Sequence, residues 1–156
     1  MALFLSTFVN KVDKKGRVSI PAPFRAALAG QSFAGVVAFP SFVFPAIDAS
    51  GIDRMEELSR SVDRFNPFSD EHDAFANALF AASHQLGWDG EGRIVLPEKL
   101  MSHAGITAMA AFVGRGATFQ IWEPEAARAN QETARERARR ERGALSLQRP
   151  DGGGSG

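Results

Sequence analysis

VDKKGRVSIPAPFRAAL at residues 12–28 and WDGEGRIVLPEKLMSHA at residues 88–104 are one pattern written twice, at an offset of 76 residues. Asp13, Gly16, Arg17 and Pro21 recur as Asp89, Gly92, Arg93 and Pro97, and the apolar triplet VSI becomes IVL. The likeness continues more loosely downstream, where GVVAFPSFVFP (35–45) parallels MAAFVGRGATFQIWEP (109–124). Four identities with matching flanks mark an internal duplication, and the period makes each copy a small supersecondary unit.

Local chemistry predicts the shape of that unit. STFVNKVD alternates as a strand, with Phe8, Asn10 and Val12 on one face and Thr7, Val9 and Lys11 on the other. Lys14-Lys15-Gly16 supplies a turn in which glycine takes the positive φ that hairpin connections need. VSIP resumes the strand until Pro21 ends pairing. PAPFRAALAG suits a short helix with proline in its first turn, Phe24, Ala27 and Leu28 on one face, and Gly30 as the stop. PEKLMSHAG is the corresponding helix of the second copy. Residues 35–45 and 109–124 each read as two short strands around a turn.

Between the copies, SGIDRMEELSRSVDRF carries Ile52, Met55, Leu58 and Val62 at helical spacing, and Asn66-Pro67 interrupts it. Ser69 then caps a second helix expected to end near Ser83, with Phe75, Leu79 and Phe80 as its stripe. After the second copy, EPEAARANQETARERARRERG predicts a long polar helix, and DGGGSG a flexible end. The expected organisation is therefore a first repeat at 1–50, a helical connector at 51–83 and a second repeat at 84–124. A C-terminal helix at 125–142 and a disordered tail at 143–156 complete it.

Lysine plus arginine and aspartate plus glutamate are equal at 18 each, so the net charge is zero. The distribution is uneven. Residues 1–47 carry Lys11, Lys14, Lys15, Arg17 and Arg25 against Asp13 alone, while residues 48–91 are strongly acidic. A basic patch of this kind can steer a polyanion even when the total cancels. The chain has no cysteine, which excludes disulfides and thiolate metal sites. MALFLSTFVN lacks a basic leader and is too short to span a bilayer, so a cytoplasmic protein is expected.

The Asp-x-x-Gly-Arg turns admit two readings. In the structural one, Asp13 and Asp89 cap backbone N–H groups, Gly16 and Gly92 permit the bend, and each arginine pairs with its aspartate. That reading leaves the crowding of Lys11, Lys14 and Lys15 around the first turn unexplained, since like charges repel. In the functional one the lysines hold phosphates, while Arg17 grips a guanine edge or two phosphate oxygens. No nucleophile elbow, P-loop or dinucleotide fingerprint occurs, and His72, His84 and His103 have no metal-ligand spacing. The carboxylates at 70–73 read as a helix start and Arg135–Arg142 as a solvated helix face. Arg115, in a turn between strands, reads as solvated. A non-enzyme without metal or cofactor is expected.

The paired D-x-x-G-R-(V/I)-x-(I/L)-P motifs, the N-terminal placement of the first and the intervening helices resemble the MraZ proteins of the AbrB/SpoVT-like swapped-hairpin superfamily. The resemblance covers about residues 1–142. It implies an α+β fold in which two tandem modules form a double-split or swapped-hairpin β-barrel with flanking helices. It also implies a ring-shaped homo-oligomer binding repeated promoter sites in double-stranded DNA, and a regulator, expected to repress, of the division and cell-wall gene cluster on the nucleoid. By position, Arg17 and Arg93 match the motif arginines and Asp13 and Asp89 the motif aspartates. DNA contact is thus expected from Arg17, Lys14, Lys15 and Lys11, and less from Arg93, because Gly90-Glu91 replace Lys14-Lys15 in the second copy. Neither a small-molecule substrate nor a membrane is an expected partner. A ring-forming protein-interaction scaffold and an antitoxin-like regulator are the alternatives.

Overall fold

The computed structural model describes residues 2–147. Its strands are β1 (Thr7–Lys11), β2 (Arg17–Ser19), β3 (Gly35–Pro40), β4 (Ile47–Ser50), β5 (His84–Gly87), β6 (Arg93–Val95), β7 (Met109–Gly114) and β8 (Phe119–Trp122). Its helices are α1 (Ala22–Ala27), α2 (Ile52–Val62), α3 (Asp70–Phe75), α4 (Glu98–Ala104) and α5 (Pro124–Glu141). The fold is α+β, with a largely antiparallel six-stranded sheet, a two-stranded ribbon and helices.

The two strands flanking each Asp-x-x-Gly-Arg turn do not close into a local hairpin. Within the first copy only a single bridge, Val12 to Val18, links them. The aspartate explains the divergence. Asp13 Oδ1 accepts from the backbone N–H of Lys15 and of Arg17, both at 2.9 Å, so the side chain takes donors that a continued ladder would use. The strands find partners in the other copy instead. β1 pairs with β7, from Thr7 opposite Val113 to Lys11 opposite Met109. β5 pairs with β3 in the equivalent way, and β2 pairs with β6. The sheet order β1-β7-β8-β4-β3-β5 reads the same when the copies are exchanged. Two cross-strand pairs, Val18 with Ile94 and Ile47 with Ile121, join equivalent residues of the two copies and mark an approximate two-fold axis.

The ribbon and the two short helices pack on one face of the sheet. Val18, Ile20, Phe24 and Leu28 of the first copy and Ile94, Leu96, Leu100 and Ala104 of the second share one core with Phe4, Ile47, Phe112, Phe119 and Ile121. Phe24 is its centre, with ring centroids 5.2 Å from Phe4, 5.6 Å from Phe8 and 4.9 Å from Phe119. Burying each such side chain contributes about 1.5–3 kcal/mol. β3 is buried on both faces. Val36 and Ala38 enter this core, while Val37 and Phe39 enter a smaller one with Met55, Val62 and Leu79.

Several boundaries differ from the sequence reading. The second strand of the first copy begins at Ile47, after the stretch 35–45 expected to contain it. Ser41 Oγ accepts from the backbone N–H of Val43 and Phe44 and holds 41–46 as a turn. Ser69 caps α3 as expected, accepting from His72 N–H at 3.1 Å. The helix does not run on regularly to Ser83, however, and becomes π-helical over Ala76–Ala81. Asn77 Nδ2 donates to Asp73 O at 3.1 Å, competing for a carbonyl of the α-ladder just before the change.

A second compact unit begins at Glu125. Beyond its first two turns, where Ala127 is buried, its helix is exposed and laced with ion pairs at helical spacing, Arg137 to Glu141 at 3.1 Å and Arg139 to Glu136 at 3.8 Å among them. Such exposed pairs are worth about 0.3–0.5 kcal/mol each. A 3₁₀ turn, Arg142–Ala144, follows α5, so the segment expected to be a disordered tail starts with ordered backbone. Its remainder from 148 on, including DGGGSG, lies outside the described residues. No described helix is long and apolar enough to cross a membrane.

Candidate nucleic-acid interface

The two motif turns are built alike, bond for bond. Asp89 Oδ1 accepts from Glu91 N–H at 2.9 Å and Arg93 N–H at 3.0 Å, as Asp13 does from Lys15 and Arg17. Arg17 Nε donates to Asp13 Oδ2 at 2.6 Å, and Arg93 Nε to Asp89 Oδ2 at 3.0 Å. Gly16 and Gly92 adopt φ of 81° and 75°, open to glycine and strained for other residues. Each also lies against the opposite copy, since Leu96 N–H donates to Gly16 O at 2.8 Å and Ile20 N–H to Gly92 O at 2.9 Å.

These contacts set the electrostatics of the turns. The Arg17 backbone N–H is the main cause holding the Asp13 carboxyl below its usual range, with the Arg17 side chain and Lys15 N–H adding to it. The Arg93 backbone N–H acts likewise on Asp89, with Glu91 N–H next. A carboxylate with a depressed folded pKa stabilises the fold fully above its unfolded value of about 3.9, and that contribution is lost as pH falls through the folded value.

The swapped ribbon brings the arginines together. Val18 and Ile94 point into the core, so Arg17, Ser19, Arg93 and Val95 form its outer face. Arg17 lies opposite Val95 and Arg93 opposite Ser19, which makes the arginines diagonal neighbours about 7–8 Å apart along the ribbon. Their guanidiniums are not equivalent. Arg93 Nη2 also meets Glu91 Oε2 at 3.7 Å, whereas Lys15 stands at Glu91's position beside Arg17. Lys11, Lys14 and Lys15 are exposed, Lys11 at the end of the sheet's edge strand and the other two in the turn.

Two charged groups escape the sequence reading. Arg25, on α1 of the first copy, donates to Ile20 O and lies against the second turn, so close that a Cβ on Gly92 would come within 2.5 Å of its guanidinium. The basic first copy thus lends a cation to the acidic second turn. The only sequence signal is a mismatch, Arg25 standing where the second copy has Met101. Arg115 is not simply solvated, because its Nη1 donates to Gln120 Oε1 at 2.9 Å and its guanidinium lies 5.7 Å over the Phe44 ring. Gln120 Nε2 in turn donates to Asp48 Oδ1 at 2.7 Å. Burial pushes the Asp48 carboxyl up, with Gln120 and Arg115 opposing that shift. A raised folded pKa means that ionising Asp48 costs stability. Asp48→Asn is therefore expected to raise Tm at pH 7, with the gain shrinking as pH falls and vanishing below the unfolded value of about 3.9, where the carboxyl is protonated in both states. Thermal unfolding of both proteins across pH measures it.

The described residues contain no cluster of three or more His, Asp or Glu side chains able to hold a metal. The arrangement offers guanidinium and ammonium groups on a two-stranded ribbon and its turn.

Fold and site together define a duplicated strand–turn–strand–helix protein whose copies exchange strands and display their motif arginines on a common ribbon. The family model described as "MraZ protein, putative antitoxin-like" matches residues 79–146. "Transcriptional regulator MraZ" of Rickettsia akari (strain Hartford) is 48% identical over 125 residues, covering 80% of this chain and 84% of the relative. The proteins of the same description from Rickettsia rickettsii (strain Sheila Smith) and Rickettsia bellii (strain OSU 85-389) are 49% and 47% identical with the same coverage. The chain belongs to the MraZ family.

Proposed function

We propose that the protein is a transcriptional regulator that binds double-stranded DNA through the ribbon formed by β2 and β6 and the first motif turn. The observation that carries this reading is the placement of Arg17 and Arg93 on one outer ribbon face beside Lys14 and Lys15. A two-stranded ribbon fits the major groove, where an arginine fork matches the O6 and N7 acceptors of guanine, and lysines at its margin reach phosphates. Arg17 is the leading contact. Arg93, its guanidinium shared between Asp89 and Glu91, contributes less.

One ribbon makes few contacts, so a homo-oligomer, most simply a ring, engages several repeats of a promoter at once and multiplies a weak affinity. Family membership supports a repressing role at the promoter of the division and cell-wall gene cluster, and hence a place on the nucleoid in the cytoplasm. Binding to a fragment of that promoter, measured from low to high salt, tests the reading. Affinity should fall steeply, with a log–log slope of about −0.9 per phosphate contacted. Absence of binding at low salt would discard it in favour of a scaffold that binds protein.

A further inference from the structure

The exposed large apolar side chains of the strand-bearing unit fall mainly into two sets, at opposite ends of α2. The first is a groove of about 380 Å³ at the end of that helix, lined by Phe39, Phe42, Leu58, Phe65, Phe75 and Leu79 among others. Phe65 and Phe75 stack at 5.8 Å, and Phe42 lies 6.4 Å from Phe75. Phe42 is 55% exposed, and Phe68 on the adjoining loop is 96% exposed. An aromatic surface of this kind on a folded chain marks an interface.

The second set lies near the start of α2, where Ala2 shares a small pocket with Asp53, Arg54 and Glu57. Leu3 and Leu5, 61% and 62% exposed, flank Phe4, which is fully buried. Phe4 is clamped from both sides, its N–H donating to Gly116 O at 2.7 Å and its carbonyl accepting from Gly116 N–H at 3.0 Å. Ser6 holds the bend beyond at φ 76°, and its carbonyl accepts from Gly114 N–H at 2.9 Å. The two leucines are therefore apolar knobs on a backbone already fixed, and docking them costs little ordering entropy.

We infer that Leu3 and Leu5 of one chain seat in the Phe42–Phe65–Phe75 groove of a second copy, in a head-to-tail contact. Within one chain the two do not meet: neither Leu3 nor Leu5 lines the groove, and Arg54 near the start of α2 and Val62 at its end are about 12 Å apart at helical rise. Charge favours this pairing over groove against groove. Among the exposed charges on or beside the helices framing the groove, Asp63, Asp70, Glu71 and Asp73 outnumber Arg60 and Arg64, so two such faces would repel. The first twelve residues, by contrast, hold Lys11 and no carboxylate. A contact between two different faces propagates until it closes into a ring. The inference deepens the assembly part of the proposed function and does not depend on DNA contact.

The test is sedimentation of the full chain and of two variants, Leu3→Ser with Leu5→Ser, and Phe65→Ser with Phe75→Ser. Phe42→Ser serves as a second groove variant, and circular dichroism checks each fold. Wild type should sediment as a closed oligomer and each folded variant as the 16.8 kDa chain. An equimolar mixture of knob and groove variants should form a dimer and nothing larger, since each supplies one intact half. Variants that keep the wild-type mass, or a mixture that stays monomeric, overturn the contact while leaving the ring reading intact. A monomeric wild type overturns both.

Discussion

Arg17→Ala is expected to weaken binding to a specific promoter fragment by about 10- to 100-fold per site, the range of one good bidentate arginine contact. Repetition in an assembly would compound the loss, so that specific binding disappears at working concentrations. Arg93→Ala is the matched control. Each substitution removes the same Nε–Asp bond, at 2.6 Å in one turn and 3.0 Å in the other, from a half-exposed pair. The cost to stability should be small in both variants, as for other exposed ion pairs. Only Arg93 already has a second carboxylate at its terminal nitrogen, so its loss should weaken DNA binding less. Fluorescence anisotropy at two salt concentrations, with melting curves for both variants, measures the difference. Equal DNA affinities for the two variants would sink the assignment of Arg17 and leave both turns as structural devices.

Phe24→Ala is expected to destabilise the fold by about 3–5 kcal/mol, a large fraction of the roughly 5–15 kcal/mol that holds a domain together. Phe24 is 1% exposed and contacts the rings of Phe4, Phe8 and Phe119, so the cavity would open where both copies meet. Its counterpart in the second copy is Leu100, also fully buried, and Leu100→Ala should cost about 2–5 kcal/mol. Urea unfolding of each variant gives the values. A loss below about 1 kcal/mol at Phe24 would show that the two copies do not share one core.

Much of the candidate site was legible in the sequence. The Asp cap, the glycine bend and the Arg–Asp pair are interactions within five residues, and the structure contains each of them twice. Arg25 and Arg115 were not legible. Arg25 meets the second turn, and Arg115 meets Phe44, only when the copies interlock; the Arg115–Gln120 bond is local to the β7–β8 hairpin, but Gln120 also donates to Asp48 of the other copy. The π-helical turn at 76–81 was missed because helical spacing alone does not show a side chain competing for a backbone carbonyl.

The sequence by itself determined the duplication, the alternation that turns Phe8 and Val12 inward, the helix caps and stops, and the inequality of charge between the two turns. Those features depend on neighbours along the chain. Strand partnership was a matter for the tertiary structure. A hairpin closed on itself and one opened to exchange strands share the same alternation, and the choice rests on burying both copies' apolar faces in one core. Leu28 is matched by Ala104 and Ala38 by Phe112, all four buried in that one core, so a large residue of one copy stands where the other copy has a small one. That match of sizes lies between segments about 75 residues apart, and the pairing of β2 with β6 is what sets Arg17 beside Arg93.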